Sequence, residues 1–398
     1  MTMRSVASGL DRLAAEGPSV AGLAPGARIG LLAHPGSVDR QARHAVRILG
    51  DGGALVPVRL FAPEHGLWGR AQDMEQVAPD TDPVSGLPVV SLYGTESESL
   101  RPPPESLAGL DAIVCDLQDV GSRYYTYVYT ISFVMEAAAE AAVPVVVLDR
   151  PNPIGGSRCE GPVLDPALAS FVGRYPLPVR HGMTVGELAQ LFNGAFGIGC
   201  ELRVVGLEGW RRSMAFSETG LPWVPPSPNM PSLSTARVYP GGCLIEGTLL
   251  SEGRGTTLPF ELVGAPWIDA RALADRMRHA RLPGVLFREA SFRPEFQKHA
   301  KRPCGGVQVI VQDPDSFRPF TTYLCLIREA RALDPEAFGW RSEPYEFESG
   351  RLAIDLLLGR TELRPMLESN AELHEIVASW SEGLREFRRL RESFLLYS

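Results

Sequence analysis

The sequence predicts an α/β fold in which helices cover both faces of a mostly parallel sheet. Apolar runs of strand length alternate with helical patterns along the first 150 residues, and each run is continuous. Strands that are buried on both faces have continuous apolar runs, whereas a sheet with one face in water alternates apolar and polar residues. The pattern changes near residue 160. We therefore predict two domains, 1–160 with the parallel sheet and a second, smaller α+β domain at 161–398.

The elements of the first domain follow from its hydrophobic pattern. An N-terminal helix at 4–15 would place Val6, Leu10 and Leu13 on one face. Two further helices are predicted in this domain, and its strands are predicted from continuous apolar runs. The helices are expected at 4–15, 39–49 and 127–142, and the strands at 28–33, 54–61, 87–93, 111–117 and 143–149.

The second domain gives fewer and weaker signals. Thr184-Val-Gly-Glu187 has the form of a capping box, which opens a helix that carries Leu188, Leu191 and Phe192. The remaining patterns predict helices near 269–281, 317–332, 351–358 and 371–391, and strands at 202–205, 285–291 and 306–311.

Composition and charge exclude several classes of protein. The 398-residue chain has a net charge of −8, which argues against a nucleic-acid ligand because there is no basic excess to neutralise phosphates. No apolar run reaches membrane-spanning length. Asp11 and Arg12 interrupt the N-terminal apolar residues, so no signal peptide is expected and the protein is predicted to be cytoplasmic. The cysteines form no C-x-x-C pair, which removes support for a zinc ribbon or a dithiol centre.

Polar segments follow three of the predicted strands, at 62–70, 116–125 and 149–156. In an open parallel sheet these segments share the edge where ligands bind. The first contains Glu64 and His65, a carboxylate and an imidazole suited to acid/base chemistry. The alternative is an ordinary loop whose polar groups satisfy the backbone.

The second polar segment supplies the candidate partner of Glu64. We expect Asp116 or Asp119 to face Glu64 across neighbouring strand ends. Two opposed carboxyls are the usual requirement for hydrolysis of a glycosidic bond, since one protonates the leaving oxygen while the other acts as nucleophile or activates water. The alternative is a structural ion pair between either aspartate and Arg123.

Two further segments are candidates for ligand binding. Asp149-Arg150-Pro-Asn152 would present donors and acceptors to a sugar or a carboxylate, or would simply form a turn held by an Asp–Arg pair. In Ser251-Glu252-Gly-Arg254 the glycine allows close approach of the backbone, and the arginine suits a carboxylate. The alternative there is a plain glycine-rich turn.

Six stretches in order along the chain resemble one family, the exo-β-N-acetylmuramidases of glycoside hydrolase family 171. They are FAPEHGLWG (61–69), DLQDVGSRYYTY (116–127), LDRPNPIGG (148–156), RHGMTVGELA (180–189), PSPNMP (226–231) and LSEGRGTTLPF (250–260). The resemblance implies a Rossmann-like, doubly wound N-terminal domain and an active site in the cleft between the two domains. It also implies release of N-acetylmuramic acid from the non-reducing end of peptidoglycan fragments, without a metal or nucleotide cofactor.

With this resemblance, we expect Glu64 to be the general acid/base and Asp116 its partner, with Asp119 and Glu252 in reserve. The lactyl carboxylate of the sugar calls for an arginine, and three are candidates: Arg123, Arg150 and Arg254. The other expected substrate contacts are His65, Tyr124, Asn152 and Asn229, and an apolar wall is expected from Tyr124, Tyr125, Trp68 and Trp223. A non-catalytic muropeptide-binding protein, or a hydrolase of another class that uses His65 or His181 as base, would have the same sequence features.

Overall fold

The apolar runs of the N-terminal half form one sheet in the computed structural model, which describes residues 6–398. The strands of residues 6–398 are β1 (Arg28–Ala33), β2 (Val56–Ala62), β3 (Asp80–Thr81), β4 (Pro88–Ser91), β5 (Ala112–Asp116), β6 (Val145–Leu148), β7 (Glu160–Val163), β8 (Pro178–Arg180), β9 (Leu202–Val205), β10 (Leu262–Ala265), β11 (Val285–Phe292) and β12 (Cys304–Val311). The large sheet has the order β3-β4-β2-β1-β5-β6-β9. Its pairs are parallel, except that β3 runs antiparallel to β4.

Helices cover both faces of this sheet, so the predicted doubly wound α/β fold is confirmed. The helices of the described chain are α1 (Gly9–Glu16), α2 (Ala45–Gly50), α3 (Tyr127–Ala141), α4 (Val185–Gly194), α5 (Leu233–Gly242), α6 (Ala270–His279), α7 (Pro319–Leu333), α8 (Ala353–Leu358), α9 (Leu363–Glu368), α10 (Leu373–Ser379) and α11 (Ser381–Glu392). Leu31 of β1 belongs to the core under α1 and α2, whereas its neighbour Leu32 belongs to the core under α3 and α4. None of the helices in residues 6–398 is long and apolar enough to cross a membrane.

The C-terminal half adds a smaller α+β layer. Strands β10, β12 and β11 form an antiparallel sheet, and β7 pairs with β8 in a separate ribbon. The core under α3 continues without interruption into this layer through α5 and α7. The large sheet takes its last strand from residues 202–205, past the predicted boundary near 160, and the division of the chain into 1–160 and 161–398 stays a prediction.

Two predicted helices differ from the structure for identifiable reasons. The helix expected at 39–49 begins only at Ala45, because Asp39 holds the preceding loop by accepting hydrogen bonds from the backbone of Gln41 and Arg43. The helix expected at 371–391 is two helices, α10 and α11. They are interrupted at Trp380, whose buried ring packs at 5.4 Å against that of Phe320.

The N-terminal helix begins at Gly9, later than expected, because Ser8 and Asp11 form a capping box. The first residues of its predicted span, 4 and 5, lie outside the described part of the chain. Two helices, α5 and α9, and four strands, β3, β7, β8 and β10, were not predicted from the sequence.

Asp149, directly after β6, ties the C-terminus of the chain to the large sheet. Its fully buried carboxylate accepts hydrogen bonds from the Thr184 hydroxyl at 2.8 Å, from the Gly186 backbone at 2.8 Å and from the Tyr397 hydroxyl. Thr184 also caps α4 through the predicted capping box. Burial raises the pKa of Asp149 to about 6 in spite of these donors.

We expect Tyr397→Phe to lower the free energy of unfolding by about 1–3 kcal/mol, because Asp149 loses a donor and the Leu207 N–H loses its acceptor. The Tyr397 hydroxyl lowers the pKa of Asp149, so the variant raises this pKa further above its unfolded value. A group whose pKa is higher in the folded than in the unfolded protein makes its full contribution to the free energy of unfolding below the unfolded pKa. This contribution is lost as the pH rises through the folded pKa. Urea unfolding should therefore show a larger deficit at about pH 8 than at about pH 4.

Leu396→Ala is the control for this experiment, because Leu396 is exposed and should change stability by about 0.5 kcal/mol or less. An equal deficit of Tyr397→Phe at both pH values would contradict the role given to Asp149.

Candidate active site

The polar segments that follow β2, β5 and β6 lie along one edge of the sheet, as predicted. The order of the strands corrects one expectation. Strand β1 lies between β2 and β5, so Glu64 and Asp116 do not come from neighbouring strands. His34 follows β1 directly; it is buried, and its Nε2 accepts a hydrogen bond of 2.9 Å from the backbone N–H of Gln118.

Glu64 lies on one wall of a cleft between the sheet edge and the C-terminal layer. It is buried, and its Oε2 accepts a hydrogen bond of 2.8 Å from the hydroxyl of Thr126, the residue that precedes α3. His65 lies beside it, with Nε2 at 4.0 Å from Oε1 of Glu64. Residues 124–127 continue this wall, and the opposite wall contains Asn229, Tyr239, Arg254 and Glu346.

Acidic side chains that were not predicted from the sequence contact Arg254 in the lining of the cleft. The Nη1 atom of this arginine is 2.5 Å from Asp73, and Nη2 is 2.7 Å from Glu246. Glu246 also accepts a hydrogen bond of 2.6 Å from the Tyr345 hydroxyl. The cleft therefore brings together Glu64, Asp73, Glu246 and Glu346 around one arginine, and it is acidic.

Burial and mutual repulsion change the ionisation of these acids. The pKa of Glu246 is raised, mainly by burial. The pKa of Glu346 is raised well above its usual range by burial and then by the negative charge of Glu64. The hydroxyl of Tyr93 donates to Glu346 at 2.9 Å and offsets part of this shift. Burial and the neighbouring carboxylates thus favour the protonated form of Glu346.

Asp116 and Arg150 form an ion pair away from the lining of the cleft. Asp116 is fully buried, and both of its oxygens accept from the Arg150 guanidinium, at 2.6 and 2.8 Å. Arg150 also donates to the backbone carbonyl of Val38 at 2.9 Å. This bidentate pair fixes the ends of β5 and β6 relative to each other.

Asp119 and Asn152 hold the backbone of the neighbouring loops. Asp119 accepts from the backbone N–H of Gly121 at 2.5 Å, and its Oδ2 lies 3.6 Å from His181. Asn152 donates to the Met183 carbonyl and accepts from the Ile154 backbone. The glycine at 121 is required, since a Cβ there would lie 2.4 Å from the Asn152 side chain and φ is +81°.

Arg123 is fully buried, and its guanidinium bonds the backbone instead of facing the cleft. It donates to the carbonyls of Pro162, Leu177 and Leu357, at 2.9, 3.2 and 2.7 Å. These carbonyls belong to the β7–β8 ribbon region and to α8. The arginine thereby joins the loop after β5 to the C-terminal layer.

Some of the remaining residues that were predicted to contact the substrate line the cleft, and others lie outside it. Tyr124 and Tyr125 line the cleft, as does Asn229, which donates to Gln72 at 3.0 Å. Glu252 lies behind Arg254, 2.8 Å from Lys298. The two tryptophans pack elsewhere, Trp68 against His44 and Trp223 against Phe216.

The comparisons with known proteins agree with this architecture. Residues 29–234 match the model of the N-terminal domain of exo-β-N-acetylmuramidase NamZ, and residues 237–397 match the model of its C-terminal domain. The chain belongs to the exo-β-N-acetylmuramidase NamZ family. It is 45% identical over 372 residues to the peptidoglycan β-N-acetylmuramidase NamZ of Bacillus subtilis strain 168, which covers 94% of this chain and 87% of that protein.

Solved structures show the same fold for this NamZ-family chain. A DUF1343 family protein from Bacteroides fragilis NCTC 9343 superimposes over 100% of both chains with a TM-score of 0.89 at 33% identity. A second DUF1343 family protein from the same strain gives a TM-score of 0.71 at 28% identity over 99% of both chains. The resemblance noted in the sequence motifs is thus confirmed over nearly the whole chain.

Arg123→Met is expected to destabilise the protein by about 3 kcal/mol or more, because buried carbonyls lose their charged donor. Urea unfolding measures this change, and Arg47→Met, in an exposed ion pair with Asp51, is the control expected within about 0.5 kcal/mol. Unchanged stability together with a raised KM would instead support the sequence-based expectation that Arg123 binds substrate.

Proposed function

We propose that this chain is an exo-acting glycosidase that hydrolyses the β-linkage of non-reducing-terminal N-acetylmuramic acid in peptidoglycan fragments. The observation that carries the proposal is Glu64, a buried carboxyl at a strand end that faces further carboxyls across a cleft. Membership of the NamZ family and the activity named for the Bacillus subtilis relative support it. The expected partner is a small saccharide or muropeptide.

The walls of the cleft suit a sugar ring. Tyr125 and Tyr239 meet edge to face at 5.6 Å, and rings of this kind give an apolar surface with polar rims. Asn229 and the Ser227 hydroxyl, which accepts from Tyr125 at 2.9 Å, supply polar groups at the same level. A few polar groups on an apolar wall fix the orientation of a ligand.

The lactyl carboxylate of N-acetylmuramic acid needs a cation, and the contacts favour Arg254 over Arg123 and Arg150. Arg254 lines the cleft, whereas the other two are bonded to backbone carbonyls or to Asp116. Arg254 is itself paired with Asp73. A substrate carboxylate would therefore replace Asp73 at Nη1 when it binds.

Glu64 is the proposed catalytic carboxyl, exchanging a proton with the glycosidic oxygen or with the attacking water. The bidentate bond of Asp116 to Arg150 favours a positioning role for this aspartate at the sheet edge. Asp119, bonded to the Gly121 backbone, fits a similar role. A cytoplasmic location stays a prediction of the sequence.

We expect Glu64→Gln to lower kcat by about 10²–10⁴-fold without unfolding the protein, because the amide keeps the shape but acts neither as a general acid nor as a general base. The assay incubates enzyme with a disaccharide of N-acetylmuramic acid on N-acetylglucosamine and identifies the released sugar by mass. Glu98→Gln, an exposed glutamate, is the control. Full turnover by a folded Glu64→Gln variant would remove Glu64 from the mechanism, and muropeptide binding without any sugar release by the wild type would show a binding protein instead.

A further inference from the structure

Glu346 sits at the tip of a turn with an unusual backbone. Tyr345 and Glu348 exchange backbone hydrogen bonds of 2.9 and 3.0 Å, so that Glu346 and Phe347 form a two-residue loop. Both loop residues have positive φ, +48° and +63°. Such turns favour Asn-Gly, because side chains with a Cβ are strained there. Glu346 and Phe347 are both unfavourable in such a turn, so their presence there calls for an explanation from the contacts of their side chains.

Both side chains are anchored on the large sheet. Phe347 meets Tyr93 edge to face at 5.3 Å and Phe171 at 5.8 Å. Tyr93 follows β4, the strand next to β2, and its hydroxyl donates to Glu346 at 2.9 Å. The turn of the C-terminal layer thereby contacts the segment after β4, the strand that pairs with β2, which Glu64 follows.

The surroundings of Glu346 and Glu64 differ in charge and in hydrogen bonding. The charged groups that act most strongly on Glu346 are the carboxyls of Glu64, Glu246 and Asp73, all of which oppose its ionisation. Arg254, the arginine of the cleft, is paired with the last two of these acids. Glu64, in contrast, accepts a hydrogen bond from the hydroxyl of Thr126 on its own wall of the cleft. When two carboxyls share a site, the one with the less favourable surroundings keeps the proton.

We propose that Glu346 is the second catalytic carboxyl of the cleft and donates the proton to the glycosidic oxygen, while Glu64 acts as the carboxylate. The inference rests on the proposed glycosidase function. The raised pKa of Glu346 supports it, since a carboxyl must be protonated at working pH to serve as an acid.

The step balances as a hydrolysis. The Oε–H proton of Glu346 passes to the glycosidic oxygen, and the electron pair of the C1–O bond leaves with that oxygen as an alcohol. A water oxygen bonds to C1, and its proton passes to the Glu64 carboxylate. Exchange with solvent returns the proton to Glu346, so the pair ends as it began.

Leaving-group dependence tests this assignment. A nitrophenyl group leaves as a stable phenolate and needs no protonation, whereas a sugar alcohol needs it. We expect Glu346→Gln to lose about 10²–10⁴-fold in kcat on the disaccharide of N-acetylmuramic acid and N-acetylglucosamine, but less than about 10-fold on the 4-nitrophenyl N-acetylmuramide. Glu64→Gln should lose activity on both substrates. Glu343→Gln, an exposed glutamate of the same segment, is the control.

A second variant tests the same assignment without replacing either glutamate. Tyr93→Phe removes the donor that lowers the pKa of Glu346, so the basic limb of the kcat/KM profile on the disaccharide should move to higher pH. A general acid loses its activity as the pH rises through its pKa, because it is then deprotonated. A higher pKa of Glu346 therefore moves the basic limb to higher pH. The groups that face Glu346 are Glu64, Glu246, Asp73 and Tyr345, and all are retained in the variant.

Four outcomes would contradict either the donor role of Glu346 or the glycosidase function on which it rests. Equal losses on both substrates by a folded Glu346→Gln variant, or full activity on both, would overturn the donor role. If Glu346→Gln fails to fold, an unmoved basic limb in Tyr93→Phe overturns it instead. A wild-type protein that releases sugar from neither substrate would defeat the glycosidase function itself, which is a separate result.

Discussion

The buried guanidinium of Arg123 is the contact on which the cleft depends. A cleft between two layers has a defined width only if the layers are held at a fixed separation, and Arg123 bridges them through the carbonyls of Pro162, Leu177 and Leu357. The three carbonyls compensate for burial of the charge at Nη1 and Nη2, whereas Nε has no hydrogen-bond partner among the described residues. Gly359 shows how close the fit is, since a Cβ there would lie 2.6 Å from Arg123.

With this width fixed, the acids of the two walls face each other in a small space. Glu64 comes from the sheet, while Glu246 and Glu346 come from the C-terminal layer. Burial and, after it, the mutual repulsion of the carboxylates raise the pKa values of Glu246 and Glu346. The ion pair of Asp116 with Arg150 is separate from this group and holds the strand ends below it. The carboxyls of the cleft are therefore available to a substrate, whereas the ion pair in the sheet supports the structure around them.

The sequence predicted the parallel sheet, its coverage by helices and the position of Glu64, because buried parallel strands and the segments after them have strong local patterns. It did not predict that β1 separates β2 from β5, since strand order is not a local property. Glu346 was missed for the same reason, because it lies in an irregular segment that only the fold brings to the cleft. Arg123 was expected at the substrate, but an arginine in a polar segment carries no sign that its partners are distant carbonyls.

The bond between Tyr397 and Asp149 has a consequence for the order in which the protein folds. The large sheet is encoded largely in the first half of the chain, yet the carboxylate at the end of β6 receives one of its donors from Tyr397, 248 residues further along the chain. Arg212 likewise donates its backbone N–H to the carbonyl of Ser398. Asp149 therefore lacks one of its donors until the segment that contains Tyr397 has packed against the large sheet.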